Sequence, residues 1–414
     1  MQTHLADFIR DSAAGREAEA ILRACVHCGF CTATCPTYQL LGDELDGPRG
    51  RIYLIKEVLA GSHVGVKTQV HLDRCLSCRS CESTCPSGVR YTRLLDIGRS
   101  VLAARVERGL LQRLQRRALR ALLLAPRLFG PAYRLGQYLR PFLPARLRAM
   151  VLPYRAPGRR PTASQPRRMI ALAGCVQPAM APNINAAAAR LLAALDIALI
   201  EAADAGCCGA IPMHLDDIDG ARAAARRNID AWWPLLEAGA EAIVITASGC
   251  GTQLLDYAHL LQDDRDYAAK AARVSLLTRD ISAVIAAEKA ALCALLAMAA
   301  RPLPSEDAKL AFHAPCSLQH GLKIRGVVEE LLGAAGFVLL PVAEGHLCCG
   351  SAGSYSVLQP AIAGRLRRNK LAALTAQQPA AIASANIGCI AHLQGSSTIP
   401  VRHWIEYLDE RLAP

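Results

Sequence analysis

The amino-acid sequence predicts a small α-helical domain followed by two copies of an α/β domain, each built on a parallel sheet. Three observations support this fold class. Two groups of four cysteines lie within the first 98 residues, with a helical pattern between them. A second set of cysteines recurs at a nearly constant offset in the rest of the chain. In these two copies, short apolar runs alternate with helical patterns, which is typical of parallel sheets covered by helices.

The composition is that of a folded protein. Of the 414 residues, 52% are hydrophobic and 20% are charged, which excludes a disordered chain. No apolar run reaches the roughly 18–20 residues that cross a bilayer, and residues 1–20 lack the apolar segment of a signal peptide. We therefore expect a cytoplasmic protein that is soluble, or attached to a membrane only through surface contacts. In that reducing compartment, the 17 cysteines indicate metal or redox chemistry rather than disulfides.

Composition divides the chain into four regions. Residues 1–98 hold the two cysteine groups, and residues 99–168 are a basic helical segment that ends in a proline-rich linker. Residues 169–301 and 308–414 are the two copies of the repeated unit. The basic segment contains seventeen arginines and one acidic residue, Glu107, so the positive excess behind the net charge of +12 belongs mainly to it.

Each cysteine group has the spacing C-x2-C-x2-C-x3-C and is followed by proline. Thiolates are the ligands of iron–sulfur clusters, and this run is the bacterial ferredoxin arrangement, in which the fourth cysteine binds the other cluster. Zinc, the alternative, more often uses two separate C-x2-C pairs. The spacing therefore predicts two [4Fe–4S] clusters with crossed ligand sets. The first set is Cys25, Cys28, Cys31 and Cys85, and the second is Cys75, Cys78, Cys81 and Cys35.

The stretch between the two groups favours an α-helical ferredoxin domain over the compact two-hairpin kind. Thirty-nine residues separate Cys35 from Cys75, and GRIYLIKEVLAGS among them has a helical pattern. The GPRGR stretch at residues 47–51 is interpreted as a turn into that helix rather than as a phosphate-binding loop.

The repeated unit is defined by its cysteines. In the first copy, Cys175 precedes the pair Cys207–Cys208 by 32 residues, and Cys250 follows the pair by 42. Both pairs read Cys-Cys-Gly, which makes a chance coincidence very improbable. We interpret these cysteines and their equivalents as further cluster ligands or redox-active thiols. The equivalents in the second copy lie 141 residues later, or 139 for the last, and are Cys316, Cys348, Cys349 and Cys389.

Apolar runs predict three buried strands in each copy. They are MIALAG, IALIEA and AIVITA in the first, and KLAFHA, FVLLPV and AAIASA in the second. The cysteines follow these strands, at the edge where α/β folds place ligand sites. Cys293 has no counterpart and is interpreted as core packing in an Ala- and Leu-rich helix. Histidines near the repeats, such as His313, are interpreted as hydrogen-bonded loop residues rather than as ligands.

The sequence resembles the iron–sulfur subunits of bacterial glycolate oxidase (glycolate dehydrogenase), within the CCG-domain family. The resemblance is weakest over residues 99–168 and covers nearly all the rest. It is carried by ILRACVHCGFCTATCPTYQLLGDELDGPRGRIYLIK, RCLSCRSCESTCPSGVRY, NIDAWWP, EAGAEAI, TASGCG, LCCGSAG and VRHWIE.

The resemblance implies a subunit of a 2-hydroxy-acid oxidoreductase. This chain would carry electron transfer and not the hydride step. Two flavin-binding-type partner subunits, with FAD on the partner, would oxidise glycolate to glyoxylate. Quinone or another acceptor would receive the electrons, and the complex would work at the cytoplasmic face of the inner membrane.

The sequence departs from the wider family in one respect. That family includes lactate-utilisation proteins, an anaerobic glycerol-3-phosphate dehydrogenase subunit and a heterodisulfide reductase subunit, and its repeat ends in C-x-x-C. Here Ala247 and Asn386 lie three residues before the last cysteines, which disfavours a reductase-type double cluster. Four thiolates still suffice for one cubane per repeat. A lactate- or glycerol-3-phosphate-type iron–sulfur subunit and a heterodisulfide-reductase-like thiol reductase stay open as alternatives.

The basic segment alternates arginines with leucines, as in LLQRLQRRALRALLLAPRLF. Such a surface is suited to contact with anionic lipid or with an acidic partner, and a solvated linker is the alternative. Since no nucleic-acid recognition motif accompanies the arginines, we expect no nucleic-acid partner.

Overall fold

A computed structural model describes residues 2–299 and 302–412, except for the side chain of residue 299. The domain limits predicted at residues 1, 301 and 414 therefore lie outside the described residues. The chain forms two compact units, each made of two segments. The first unit is Met1–Ala118 with His346–Leu366, and the second is Leu119–Gly345 with Arg367–Pro414.

The first unit consists of helices and loops over its described residues. A 3₁₀ helix, Glu44–Asp46, precedes helix Pro48–Leu59, which has Gly47 as its N-cap and proline in its first turn. The GPRGR stretch is thus the turn into a helix, as predicted. The α-helices of this unit up to residue 105 are Asp7–Arg10, Ala13–Ala24, Phe30–Ala33, Pro36–Leu41, Pro48–Leu59, Val66–Asp73, Ser80–Thr84 and Tyr91–Arg105.

The core of this unit forms where helix Pro48–Leu59 packs on helix Tyr91–Arg105. Ile55 and Leu95 are fully buried there. Gly98 allows the close approach, since a Cβ at this position would lie 2.7 Å from Cγ1 of Ile55. Packing at this distance fixes the helix that separates the two cysteine groups.

The second unit contains two four-stranded sheets in which every pairing is parallel. The strands are β1 Arg167–Ala171, β2 Ile197–Glu201, β3 Ile243–Ile245, β4 Thr278–Asp280, β5 Lys309–His313, β6 Val338–Leu340, β7 Ala381–Ser384 and β8 Val401–His403. The strand orders are β2-β1-β3-β4 and β6-β5-β7-β8, so the two repeats have the same topology. The predicted fold class is confirmed.

Helices cover these sheets and form the basic segment. After residue 105, the described part of the chain includes one 3₁₀ helix, Arg140–Phe142, and one π-helix, Ser317–Gly321. The α-helices after residue 105 are Leu110–Leu123, Pro126–Tyr138, Ala145–Arg148, Gln177–Met180, Asn183–Ala194, Ala210–His214, Ile218–Glu237, Ser248–Leu255, Tyr257–Leu260, Ala268–Leu277, Ile281–Ala287, Lys289–Ala299, Val327–Ala334, Tyr355–Leu358, Pro360–Thr375, Ile387–Gln394 and Trp404–Leu412.

The two repeats contact each other at the carboxyl ends of their strands. The Ser248 hydroxyl, just after β3, lies 2.7 Å from the Ser317 hydroxyl, just after β5. The backbone N–H of Ser248 donates to the carbonyl of Ala385, just after β7, at 3.2 Å. These contacts bring together the sheet edges that several of the repeat cysteines follow.

Helix Lys289–Ala299 corrects one interpretation. It buries Leu292 and Leu296, which are four residues apart, and leaves Cys293 exposed. The interpretation of Cys293 as a core residue is therefore wrong, because a residue one position along a helix points about 100° away. No single helix among the described residues has both the length and the apolar character to span a membrane. Helices Ile281–Ala287 and Lys289–Met298 reach that length and apolar character only when they are taken together, and the chain bends by 78° between them.

Candidate metal centres

Eight cysteines of the first unit surround two cavities. One cavity is lined by Cys25, Cys28, Cys31 and Cys85, and Cys81 also borders it. The other is lined by Cys35, Cys75, Cys78 and Cys81. None of the eight forms a disulfide. Because a cubane cluster takes four thiolates, the donor set at each cavity fits a [4Fe–4S] cluster.

The two cysteine loops share one backbone form. The residue before the second cysteine of each group is left-handed, with φ of 55° at His27 and 51° at Ser77. The residue after it is left-handed as well, with φ of 86° at Gly29 and 60° at Arg79. Sharp bends at matching positions let the first three cysteines of each loop face one cavity. Arg79 adopts the left-handed conformation at a cost of about 1–2 kcal/mol, whereas glycine adopts it freely.

Polar groups surround the thiols of the second cavity. The Sγ of Cys75 accepts hydrogen bonds from the N–H of Ser77 at 3.4 Å and from the hydroxyl of Tyr91 at 3.6 Å. The Sγ of Cys35 lies 3.3 Å from the Thr37 hydroxyl. Hydrogen bonds of this kind stabilise negative charge on sulfur and tune a bound cluster.

Burial acts on the protonation of these thiols. It raises the pKa of Cys31 to about 11, with the neighbouring Cys25 adding to the effect. It also raises the pKa of Cys81 well above the ordinary value, with Cys78 and Cys75 contributing. Since only thiolates bind metal, metal binding here releases protons.

The four cysteines of the first repeat come together. Side-chain hydrogen bonds link Cys175 to Cys207, Cys207 to Cys208, and Cys208 to Cys250. The hydrogen bonds from Cys175 and Cys208 lower the pKa of Cys207, while the pKa values of those two donors are raised. A contiguous set of four thiols, one of them acidic, is suited to a metal cluster or to redox chemistry.

The Cys-Cys-Gly turns of the two repeats have the same geometry. Gly209 and Gly350 both have φ of 92°. The N–H of Gly209 donates to the Sγ of Cys207, and the N–H of Gly350 donates to the Sγ of Cys348, each at 3.4 Å. The glycine supplies the left-handed conformation that this sulfur contact uses.

Two residues that the sequence analysis did not single out hold the first of these turns. Asn228 donates from Nδ2 to the carbonyl of Cys207 at 2.9 Å and accepts from the N–H of Gly206 at 2.8 Å. The Tyr257 hydroxyl donates to the carbonyl of Cys208 at 2.8 Å. Asn228 lies in the NIDAWWP stretch, but nothing in the sequence pattern indicates its partner.

In the second repeat, Asn386 takes the place of the missing cysteine. Its Nδ2 donates to the Sγ of Cys389 at 3.4 Å, and its Oδ1 accepts from the N–H of Gly249 at 3.3 Å. The ring of His313 and the thiol of Cys389 have ligand atoms within 4.8 Å of each other. His313 ends β5, is buried, and has no hydrogen-bond partner at either ring nitrogen among the residues described. Its interpretation as a hydrogen-bonded loop residue is therefore wrong.

The other cysteines of the second repeat differ in setting. Cys316 is partly exposed just after β5 in the second unit. Cys348 and Cys349 are buried and belong to the segment His346–Leu366 of the first unit.

Arginines of the basic segment fall into two kinds. Arg108 and Arg116 form ion pairs with Asp73, and Arg120 forms one with Asp217. Arg113 and Arg117, on the same helix as Arg116, are exposed. Exposed leucines accompany them on this helix, namely Leu110, Leu111, Leu114 and Leu122.

Comparisons with known proteins agree with this architecture. Residues 21–89 match the family model of the 4Fe-4S dicluster domain, and residues 170–255 and 310–394 match that of the Cysteine-rich domain. The chain is thus an iron–sulfur protein with one dicluster domain and two cysteine-rich domains.

Individual relatives extend the comparison to the whole chain. The Glycolate oxidase iron-sulfur subunit of Escherichia coli (strain K12) is 51% identical over 413 residues, which cover 100% of this chain and 99% of that protein. The Probable glycolate oxidase iron-sulfur subunit of Bacillus subtilis (strain 168) is 29% identical, over 92% of this chain and 90% of that protein. Lactate utilization protein A of an Exiguobacterium species is 26% identical over 57% of this chain and 94% of its own length. The chain belongs to the family of glycolate oxidase iron–sulfur subunits.

Proposed function

We propose that this chain is the electron-transfer subunit of a flavin-dependent glycolate oxidase. Oxidation of glycolate to glyoxylate releases two electrons and two protons, and a flavin on a partner subunit accepts the hydride. The cluster-binding chain then carries the electrons onward one at a time. A quinone takes up two electrons and two protons to give the quinol, which closes the balance.

The observation that carries the proposal is the grouping of eight thiols around two cavities. Cys25, Cys28, Cys31 and Cys85 would hold the first cluster, and Cys35, Cys75, Cys78 and Cys81 the second. Each cluster supplies a one-electron centre. Residues 1–98 would form this electron-transfer domain, and the basic segment would run over residues 99–168.

The repeats, at 169–301 and 308–414, would hold further redox centres. The hydrogen-bonded series Cys175–Cys207–Cys208–Cys250 supports this for the first repeat. For the second repeat, the support is the equivalent Cys-Cys-Gly turn at Cys348. Cys316, Cys349 and Cys389 would complete that set.

The complex would work at the cytoplasmic face of the inner membrane, where its quinone acceptor resides. Exposed leucines and arginines on helix Leu110–Leu123 support contact with an anionic lipid surface. Apolar side chains of such a helix enter the headgroup region, and arginines pair with anionic headgroups.

The test is anaerobic purification of the chain with its native partners. We expect flavin-containing subunits to co-purify, glycolate to reduce the clusters of the complex, and the chain alone to hold iron and sulfide without flavin. The iron bound by the two cysteine groups should amount to about eight atoms per chain. In Cys28→Ser and Cys78→Ser variants, reduction by glycolate should be lost, whereas a Cys293→Ser variant should behave as the parent does. Stoichiometric zinc with negligible iron, or flavin bound to the chain alone, would contradict the proposal.

A further inference from the structure

A buried charge network lies in the first unit between the two cysteine groups. Asp46 is fully buried, and Arg51 is 1% exposed. The Asp46 carboxylate accepts from Arg51 at 3.3 Å, from Arg74 at 2.7 Å, and lies 3.1 Å from Nδ1 of His71. Charges removed from water to this extent act strongly on their surroundings, because the local dielectric is low.

Arg51 is fixed on all sides of its guanidinium. Its Nε donates to the carbonyl of His71 at 2.8 Å, and one terminal nitrogen donates to the Thr37 hydroxyl at 3.1 Å. Thr37 in turn donates to the carbonyl of Asp46 at 2.7 Å. The side chain therefore holds one position and does not swing toward solvent.

That position borders the second cavity. Arg51 lines it together with the thiols of Cys35, Cys75, Cys78 and Cys81. Burial opposes the charge of Arg51, but the electrostatic effects of Cys75, Tyr91, Cys35 and Asp46 together outweigh burial and raise its pKa. The guanidinium is thus a permanent positive charge beside these thiols.

Each acidic group near the second cavity has at least one donor besides Arg51. Asp46 is shared by three basic residues. Glu82, which interacts with Cys81, accepts the backbone N–H of Thr92 at 2.6 Å. Arg79 lines the cavity as well and is partly exposed. The positive charges of the arginines around this cavity therefore outnumber the negative charges of Asp46 and Glu82.

The first cavity has no buried equivalent of Arg51 among the residues that line it. Its arginine, Arg49, is 39% exposed and forms an ion pair of 2.6 Å with Glu44. Its Cys28 is exposed. A paired charge in contact with water is screened and acts weakly on its neighbours.

Reduction adds one negative charge to a cluster, so a buried positive charge favours the reduced form, and solvent exposure and sulfur hydrogen bonds act on the same balance. We propose that Arg51 sets the reduction potential of the second cluster above that of the first, so that electrons collect at the cluster held by Cys35, Cys75, Cys78 and Cys81. This inference rests on the proposed function, since it requires both clusters.

The sequence around Arg51 is built for this placement. Gly50 permits helix Pro48–Leu59 to pack on the preceding 3₁₀ turn, since a Cβ at Gly50 would lie 2.2 Å from the carbonyl oxygen of Glu44. That turn carries Asp46 at its end. The GPRGR stretch thereby brings Arg51 and Asp46 to the same buried spot.

The same network borders Cys348. The Tyr355 hydroxyl donates to the carbonyl of Arg74 at 3.0 Å, and Tyr355 interacts electrostatically with both Cys75 and Cys348. The second cluster, where electrons collect, would therefore lie near the Cys348 thiol. Both belong to the first unit.

The test is a redox titration of the anaerobically purified full chain, followed by electron paramagnetic resonance, with iron and sulfide measured in each sample. In Arg51→Gln, the equilibrium constant for reduction of one centre should fall at least tenfold, which is 59 mV for a one-electron couple, while the other centre changes less than threefold. In Arg51→Lys, which keeps the charge, the equilibrium constant for reduction of the same centre should fall less. Arg49→Gln, the matched control at the first cavity, should change either centre less than threefold.

Assignment of the affected centre uses the cysteine variants. The shift should persist in a Cys28→Ser background, where the first cluster is altered. Full iron content in Arg51→Gln with both constants within threefold of the parent would overturn the inference. If Arg51→Gln does not retain its clusters, the test uses Arg74→Gln instead, at a partly exposed residue of the same network. We then expect a smaller shift in potential at the same centre, and no shift would overturn the inference. Absence of iron from the parent chain would instead refute the proposed function.

Discussion

Gly209 donates its backbone N–H to the Sγ of Cys207 at 3.4 Å, and it does so with φ of 92°. A side chain at this position would also meet the next helix, since a Cβ would lie 3.1 Å from the carbonyl oxygen of Ala221. The Cys-Cys-Gly turn therefore requires glycine for two reasons, its backbone conformation and its lack of a Cβ.

We expect Gly209→Ala to lower the free energy of unfolding by more than the conformational cost alone. Gly239 is a matched control, because its φ is also 92° but nothing lies within 4 Å of a Cβ there. Gly239→Ala should cost about 1–2 kcal/mol, and Gly209→Ala should cost more. Chemical denaturation of the full chain measures both. Equal losses in the two variants would contradict the account of the close contact.

A second prediction concerns iron in the repeats. If the thiols around Cys208 hold a cluster, the parent chain contains more than the eight irons of two cubanes, and Cys208→Ser lowers that number toward eight. The control is Cys293→Ser, because Cys293 is exposed on another helix and its loss should leave the iron content unchanged. Iron and sulfide analysis of the anaerobic full chain decides. A parent content of about eight irons that Cys208→Ser leaves unchanged would show that these thiols do not hold a cluster.

Local patterns predicted the parts of the fold that local chemistry determines. The helical domain and three strands in each repeat were predicted from helical patterns and apolar runs, although β6 is not the buried strand expected, since Val338 is exposed and Leu339 and Leu340 are half-buried. The strands β4 and β8 were missed. Each has three residues, lies at the edge of its sheet and includes an exposed or half-buried arginine, Arg279 or Arg402. Neither contains an apolar run for a sequence pattern to reveal, because β4 has no apolar residue and β8 has only Val401.

Features of the site that depend on distant contacts were not predicted. The spacing of the cysteines indicates clusters, but nothing in it indicates that Asp46 lies between Arg51 and Arg74. Likewise, the arginines of helix Leu110–Leu123 look alike in sequence. In the structure, Arg116 forms an ion pair with Asp73, whereas Arg113 is exposed. Such roles depend on residues that only the folded chain brings together.

A third prediction follows from His403, which is fully buried and lies with Nε2 2.8 Å from the carbonyl oxygen of Thr246. Burial lowers the pKa of His403 to about 3, against the smaller opposing effect of that hydrogen bond. The unfolded chain has a histidine pKa of about 6.5, so between these values the unfolded state binds more protons. Stability is therefore present in full above about pH 6.5 and decreases as the pH falls, by up to about 1.4 kcal/mol per unit for one group.

The measurement is the free energy of unfolding of the full chain at several values between pH 7 and pH 5. His403→Gln should show a shallower decrease than the parent. It should not abolish the decrease, because burial also lowers the pKa of His313 to about 3, with Lys370 and His392 contributing. His63→Gln, at an exposed position, should follow the parent. An unchanged slope in His403→Gln would show that this histidine is not protonated on unfolding.

The last prediction tests the membrane contact of helix Leu110–Leu123. Arg113 and Arg117 are four residues apart and exposed, so they lie on one face, and the exposed Leu110 and Leu114 are spaced in the same way. Each arginine near an anionic surface contributes about 1 kcal/mol. The double variant Arg113→Gln/Arg117→Gln should therefore bind anionic vesicles roughly 30-fold more weakly while its iron content stays unchanged.

A double variant with the same spacing and charge change, Arg222→Gln/Arg226→Gln on helix Ile218–Glu237, serves as the control and should bind as the parent does. Co-sedimentation with vesicles of anionic and of neutral lipid, at low and at raised salt, measures both. If the parent binds neither kind of vesicle, or if the two variants lose binding equally, the helix does not dock on lipid and the basic segment acts as a spacer or as a contact for a partner subunit.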